Sequence, residues 1–247
     1  GTDLIYGQGG RDNLDGGADG DIYRVTGSEA DGWSGFGDYD TYKDTGTGGT
    51  DVIQAVGPGD VDIGLASFGP TSGIEKIDAT GAGGNVRIIG DWNANTLDFR
   101  STSFVGNITI DAGYGDDTVY GTAGNDTIVG SGGNDRLDGA GGSDSFIVTG
   151  NEEGGWASFA GYDTYADSGT TGTDKIVAIG DDRVDIGLKK FGPTSGIEQI
   201  DGTQALGGVR LLGDWDANTL DFRSTTFVGG NVTIDAGYGD DTVYGTA

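Results

Sequence analysis

Through the middle of the chain, an apolar residue recurs every nine positions: Val119, Ile128, Leu137 and Phe146. Each follows an aspartate by two positions, Asp117, Asp126, Asp135 and Asp144. The N-terminus repeats the pattern, with Ile5, Leu14 and Tyr23 behind Asp3, Asp12 and Asp21. One apolar position in nine fits neither the stripe of an amphipathic helix nor the alternation of a hairpin strand. It predicts three-residue strands that turn one side chain inward, joined by glycine-rich hexads whose tight turns a Cβ would resist. Two such nonapeptides complete one solenoid turn, so residues eighteen apart stack at roughly 4.8 Å. Asp117 then lies over Asp135 and Asp126 over Asp144, on opposite edges of the roll.

Between these blocks, DVIQAV at Asp51, VDIGL at Val61, GIEKID at Gly73, VRIIG at Val86, TLDF at Thr96 and ITID at Ile108 read as further short strands. Ile53, Ile77, Leu97, Val119 and Leu137 are assigned to one face, separated by 24, 20, 22 and 18 residues, so the rung tightens toward the nonapeptides. The predicted fold is all-β, a right-handed parallel β-helix merging into a β-roll. The hand follows from the near-universal right-handed crossover between parallel strands. An antiparallel sandwich is the competing fold, but it offers no reason for nine-residue phasing.

The chain is one unit written twice. Laying Gly1 on Gly124 aligns the whole sequence, with one inserted residue near Gly230. FGPTSGIEKID from Phe68 returns as FGPTSGIEQID from Phe191, and GDWNANTLDFRST from Gly90 as GDWDANTLDFRST from Gly213. The first unit, 1–123, divides into a roll (1–24), an aromatic excursion (25–50), longer rungs (51–111) and the start of the next roll (112–123). The second, 124–247, divides into a roll (124–147), an excursion (148–173), rungs (174–235) and the start of another roll (236–247). The chain begins inside a glycine loop and reads as an internal fragment of a longer array, with further units or an enzyme domain in the parent chain.

Composition narrows the function. With 53 glycines, 34% hydrophobic residues and a net charge of −27, the numbers alone would suit disorder, but the regular apolar positions argue for a repeat fold in which each rung buries its strands against the next. The negative charge disfavours nucleic acid and anionic membranes. No stretch approaches 18 consecutive apolar residues, so membrane insertion is not expected. Cysteine, methionine and histidine are absent, which removes disulfides, thiol and imidazole catalysis, and the usual zinc and haem ligands. A non-catalytic module is expected. Glu75 and Glu198 look the most buried of the glutamates, and each reads as a strand-end carboxylate hydrogen-bonded at a turn.

Stacked aspartates need a partner. Two bare carboxylates about 5 Å apart repel by roughly 3 kcal/mol at an effective dielectric near 20, and a column of them multiplies the cost. Calcium reverses the sign, because it takes six to eight oxygens that aspartates and glycine-turn carbonyls from two rungs can supply. The candidate ligands are Asp3, Asp12, Asp19, Asp21, Asp117, Asp126, Asp135, Asp144 and Asp241, cradled at Gly115, Gly124, Gly133 and Gly142. Folding should then be coupled to several Ca2+ ions. The competing reading, a flexible acidic linker, explains one such loop better than two phased blocks.

A second chemistry is suggested by the aromatics. Trp33, Tyr39 and Tyr42 lie in the first excursion, Trp156, Tyr162 and Tyr165 in the second, and Trp92 and Trp215 follow Arg87 and Arg210 by five residues. Flat rings beside charged and amide groups suit sugar stacking, and repetition would add avidity along a polysaccharide. The same rings suit a small satellite core pinning the excursion to the roll.

The nonapeptides GTAGNDTIV, GSGGNDRLD and GQGGRDNLD resemble those of RTX (repeats-in-toxin) proteins, whose loops form calcium β-rolls. The resemblance implies export unfolded through a calcium-poor cytosol, commonly by type I secretion from a Gram-negative bacterium, and folding outside the cell or at its surface. It also implies side-chain ligation by Asp3, Asp12, Asp21, Asp117, Asp126, Asp135, Asp144 and Asp241. Asp19 departs from the motif by replacing its fourth-position glycine. Two functions follow as expectations: a polysaccharide-binding module tethering an attached enzyme, or a structural calcium-gated spacer or adhesin segment.

Overall fold

The computed structural model describes residues 1–27, 39–150, 161–169 and 171–246. Each D-x-U-x motif forms a strand of two to four residues, and in the central roll its apolar member points inward. Thr118–Tyr120 and Thr127–Val129 bury only their central residue, and Val119, Ile128 and Phe146 have no exposed surface. Among the described residues all strand pairing is parallel, and the only helical elements are two 3-10 turns, Pro70–Ser72 and Pro193–Ser195. The result is an all-β solenoid of about 8 turns. In the central roll the eighteen-residue register is realised directly: Val119 pairs Leu137 and Ile128 pairs Phe146.

The roll has two faces, and the longer rungs have three. Eighteen residues hold two strands and two turns; the rung from Ile53 to Ile77 holds Val52–Gly57, Val61–Gly64 and a bridge at Phe68 before Lys76–Ala82 returns to the first face. The wider interior is filled by aromatic rings. Phe99 stacks on Phe68 at 4.9 Å and meets Phe104 edge-on at 5.2 Å, and Phe222 repeats this with Phe191 and Phe227 at 5.0 and 5.5 Å. Each ring buried in this way stabilises the fold by roughly 1.5–3 kcal/mol.

Three-faced rungs hand over to the next roll by shedding a face. The five-stranded sheet that begins at Leu4–Ile5 ends at Ser103–Val105. The second face, Val61–Gly64, Val86–Ile89 and Ile108–Asp111, continues into Thr127–Val129 and becomes the first face of the second unit, forming an eight-stranded sheet. The third face, Thr96–Asp98, continues through Thr118–Tyr120 and Arg136–Asp138. The repeat in sequence is therefore a repeat in structure displaced by one face.

Two sequence expectations are corrected here. Ile77 does not lie on one face with Leu97; it pairs with Phe104, while Leu97 belongs to the face of Val119 and Leu137. Nor does the chain leave the lattice throughout 25–50. Thr41–Lys43 is a rung strand on Asn13–Asp15, and Thr164–Ala166 lies on Arg136–Asp138, so Tyr42 stacks on Leu14 and Tyr165 on Leu137. Both phenols are core residues, 4% and 2% exposed, and present no ring face to a sugar.

Candidate metal centre

Because the rungs of the rolls carry an aspartate two positions before the inward side chain, parallel pairing aligns those residues along the roll corners. Each backbone N–H donates to the carboxylate one rung further on. At one corner Asn95 N–H donates to Asp117 Oδ1 at 2.6 Å, Asp117 to Asp135 at 2.8 Å, and Asp135 to Asp163 at 2.8 Å. At the other, Asp126 donates to Asp144 at 2.8 Å, Asp144 to Asp174 at 2.7 Å, and Asp174 to Glu198 Oε2 at 2.8 Å. The first unit repeats the second corner as Asp3, Asp21, Asp51 and Glu75, and begins the other with Asp12 and Asp40.

These amide bonds satisfy one oxygen of each carboxylate. The second oxygen of Asp21, Asp117, Asp135 and Asp144, and Oδ2 of Asp12 at the start of its ladder, are buried without any hydrogen-bond partner. A buried, unpartnered carboxylate oxygen is costly, and a row of them on adjacent rungs fits the oxygen-rich demands of calcium. Burial drives the Asp117 and Asp135 carboxyls up to about 8, and Asp144 to about 7. Neighbouring carboxylates push the same way, Asp135 on Asp117 and Asp163 on Asp135. A divalent ion held by these residues would supply the positive charge that the corners lack.

The glycine hexads bring the turn backbones within reach of one another. Gly133 has φ of 144° and Gly142 φ of 118°, and a Cβ on Gly133 would overlap the Gly115 carbonyl of the preceding rung. Gly115 is also in the left-handed region, whereas Gly124 is not. The Gly124 N–H instead donates to the Thr122 hydroxyl at 3.0 Å. In that loop Asp126 Oδ2 accepts the Thr122 N–H at 2.7 Å and its hydroxyl at 3.0 Å, so this corner is partly satisfied from within its own nonapeptide.

Asp19 is not brought to the ladder: it sits at φ 76° with an exposed carboxylate 3.4 Å from the N-terminal ammonium. Asp241 does join a ladder, accepting the Asn218 N–H at 2.8 Å. Glu75 and Glu198, expected to be buried, are exposed, yet both make the anticipated strand-end hydrogen bond. Sequence reasoning missed Asp40, Asp51, Asp163, Asp174, Asn95 and Asn218. The signal was present, because each stands two residues before a buried apolar one: Tyr42, Ile53, Tyr165, Ile176, Leu97 and Leu220.

Trp33 and Trp156 lie outside the described residues. Tyr39 is buried, and its phenol is pushed up by burial and then by the charges of Asp91 and Asp111. Trp92 and Trp215 are 55% and 66% exposed and stack on Tyr114 and Tyr238 of the following rung, at 4.4 and 4.5 Å. Arg87 is held by Asp62 at 2.9 Å, and Arg210 by Asp185 at 2.6 Å. Tyr162, Arg210, Trp215, Asp235 and Tyr238 line a cleft of about 300 Å³. No described helix is long and apolar enough to cross a membrane.

The RTX calcium-binding nonapeptide repeat matches this chain in four copies, over residues 1–23, 111–146 and 229–247. No curated protein and no solved structure matches it.

Proposed function

We propose, from the premise that the chain carries RTX calcium-binding nonapeptide repeats, that it is a non-catalytic, calcium-gated structural segment of a secreted protein. Asp12, Asp21, Asp117, Asp135 and Asp144 supply the principal side-chain ligands; Asp3, Asp126 and Asp241 contribute at weaker positions, and Gly115, Gly133 and Gly142 supply the close turns. The single observation carrying this reading is the row of buried carboxylate oxygens with no partner at successive corners. Without a cation the corners repel and the chain resists folding. With calcium at a hundredfold over its dissociation constant, each site stabilises the folded state by about 2.7 kcal/mol. Such a chain stays unfolded where calcium is scarce and closes where it is plentiful, which suits export followed by folding outside a Gram-negative cell. Far-UV circular dichroism during calcium titration tests this: strand signal should appear cooperatively with calcium and vanish with EDTA. A strand signal unchanged by thorough chelation would refute it.

A second reading is favoured by the exposed Trp92–Tyr114 and Trp215–Tyr238 stacks, one per unit. Exposed indoles beside a guanidinium suit the C–H faces and hydroxyls of a sugar, so we propose a polysaccharide as an additional ligand, holding an attached enzyme near its substrate. Affinity electrophoresis in calcium should show a neutral glycan retarding the wild type and not a Trp92→Ala, Trp215→Ala variant. Equal mobility of the two on xylan, cellulose and β-glucan would leave only the structural role.

A further inference from the structure

Three carboxylates converge where the first roll meets the strands that follow it. Asp21, at a roll corner, Asp44, just after Thr41–Lys43, and Asp51, just before Val52–Gly57, each present an oxygen within 4.8 Å of the other two. Asp21 has no exposed surface and Asp51 is 3% exposed. Asp21 Oδ1 accepts the Asp3 N–H and Asp51 Oδ1 the Asp21 N–H, while Asp44 Oδ2 accepts the Gly46 N–H. That leaves Asp21 Oδ2 and Asp44 Oδ1 buried and without hydrogen-bond partners. Among the described residues no ion pair involves any of the three.

Asp44 is outside the nonapeptide motif, yet it is firmly placed. Its N–H donates to the Ser72 carbonyl at 2.6 Å, and its backbone lies against Gly73, which is in the left-handed region at φ 75°. The Tyr23 hydroxyl, a potential donor near the cluster, is already committed to the Lys43 carbonyl at 2.7 Å. The second unit repeats these positions in sequence as Asp144, Asp167 and Asp174, but among the described residues only Asp21, Asp44 and Asp51 bring their oxygens within 4.8 Å of one another. Asp144 is fully buried with an unpartnered Oδ2, and Asp167 N–H donates to the Ser195 carbonyl at 2.7 Å beside Gly196 at φ 71°.

We infer that Asp21, Asp44 and Asp51 form an additional site for a hard divalent cation, which clasps the nonapeptide roll to the rungs after it. Asp44, outside the motif, ties this ion to the point at which the two-faced roll widens to three faces. The inference rests on the calcium reading but is separable from it. Calcium bound per chain would be counted by equilibrium dialysis for wild type and for Asp44→Asn, a change that keeps an acceptor for the Gly46 N–H. The variant should bind one ion fewer while still folding in calcium. Crystals of the wild type grown in calcium should show an anomalous peak among Asp21, Asp44 and Asp51. A wild type that binds calcium but lacks that peak, or an unchanged count in the variant, overturns the clasp alone; a wild type that binds no calcium overturns both.

Discussion

At the residue scale, the same carboxylate is a liability or a ligand depending on what faces its second oxygen. Asp117 and Asp135 each spend one oxygen on a backbone N–H and bury the other. Their folded-state affinity for protons is raised from the usual range to about 8. A raised carboxyl stabilises the metal-free fold fully below the unfolded value near 4, and loses that contribution as pH climbs through about 8. Calcium competes with those protons. Its apparent affinity should therefore rise between pH 6 and 8, and adding calcium at pH 7 in weak buffer should release protons; titration without proton release would contradict the shifted carboxyls. Gly133 is a second decisive residue. Gly133→Ala forces a Cβ into the Gly115 carbonyl at an unfavourable φ, and strain of that kind costs at least about 1–3 kcal/mol. The calcium midpoint for folding should move to higher concentration by tenfold or more. Tyr23 offers a milder test: its hydroxyl accepts the Gly16 N–H at 2.8 Å and donates to Lys43, whereas Phe146 occupies the equivalent place in the second unit. Tyr23→Phe should cost about 1–3 kcal/mol, read as a lowered melting midpoint in calcium.

At the element scale, the unit of construction is a ligand-type residue, a spacer and an inward apolar side chain. The nonapeptides announce it by their nine-residue spacing, but the rungs keep it when the spacing is lost. Asp51–Ile53 and Glu75–Ile77 continue a ladder that begins in the first roll, and Asn95–Leu97 leads into the ladder of Asp117 and Asp135. The residue at the ladder position sets what that rung can do. Asparagine at 95 and 218 supplies amide donors of its own, with Asn95 Nδ2 reaching the Ala66 carbonyl and Asp91, so the ladder ends without another charge. Thr122 plays a related part at Asp126. Removing its hydroxyl with Thr122→Val should take from Asp126 one of its two local donors, leaving the Thr122 N–H and the strand Thr127–Val129 in place. Metal-free folding should be weakened more than calcium-bound folding, by up to about 1 kcal/mol. Equal losses in both states would mean that the hydroxyl serves the loop alone. These ladders were legible in the sequence only in part, because the insertions at 25–50 and 148–173 break the phase without breaking the motif.

At the scale of the whole molecule, charge and architecture are opposed. A net charge of −27 disfavours any compact state, and the fold gathers much of that charge into columns. Chelation should therefore unfold the chain as a cooperative unit, with the central roll joined to rungs on both sides. A stepwise loss, one unit before the other, would show that the handover of faces does not couple them. The sequence by itself determined the strand motif, the eighteen-residue register, the duplication and the acidic corners, because each depends on neighbours along the chain and on a fixed rise per rung. Only the tertiary structure decided which face each longer strand joins, that the second unit is displaced by one face, and that Tyr42 and Tyr165 are core while Trp92 and Trp215 are exposed. Those outcomes depend on how far each turn travels before it re-enters the stack, and turns of 22 to 30 residues admit several routes that a nine-residue period does not.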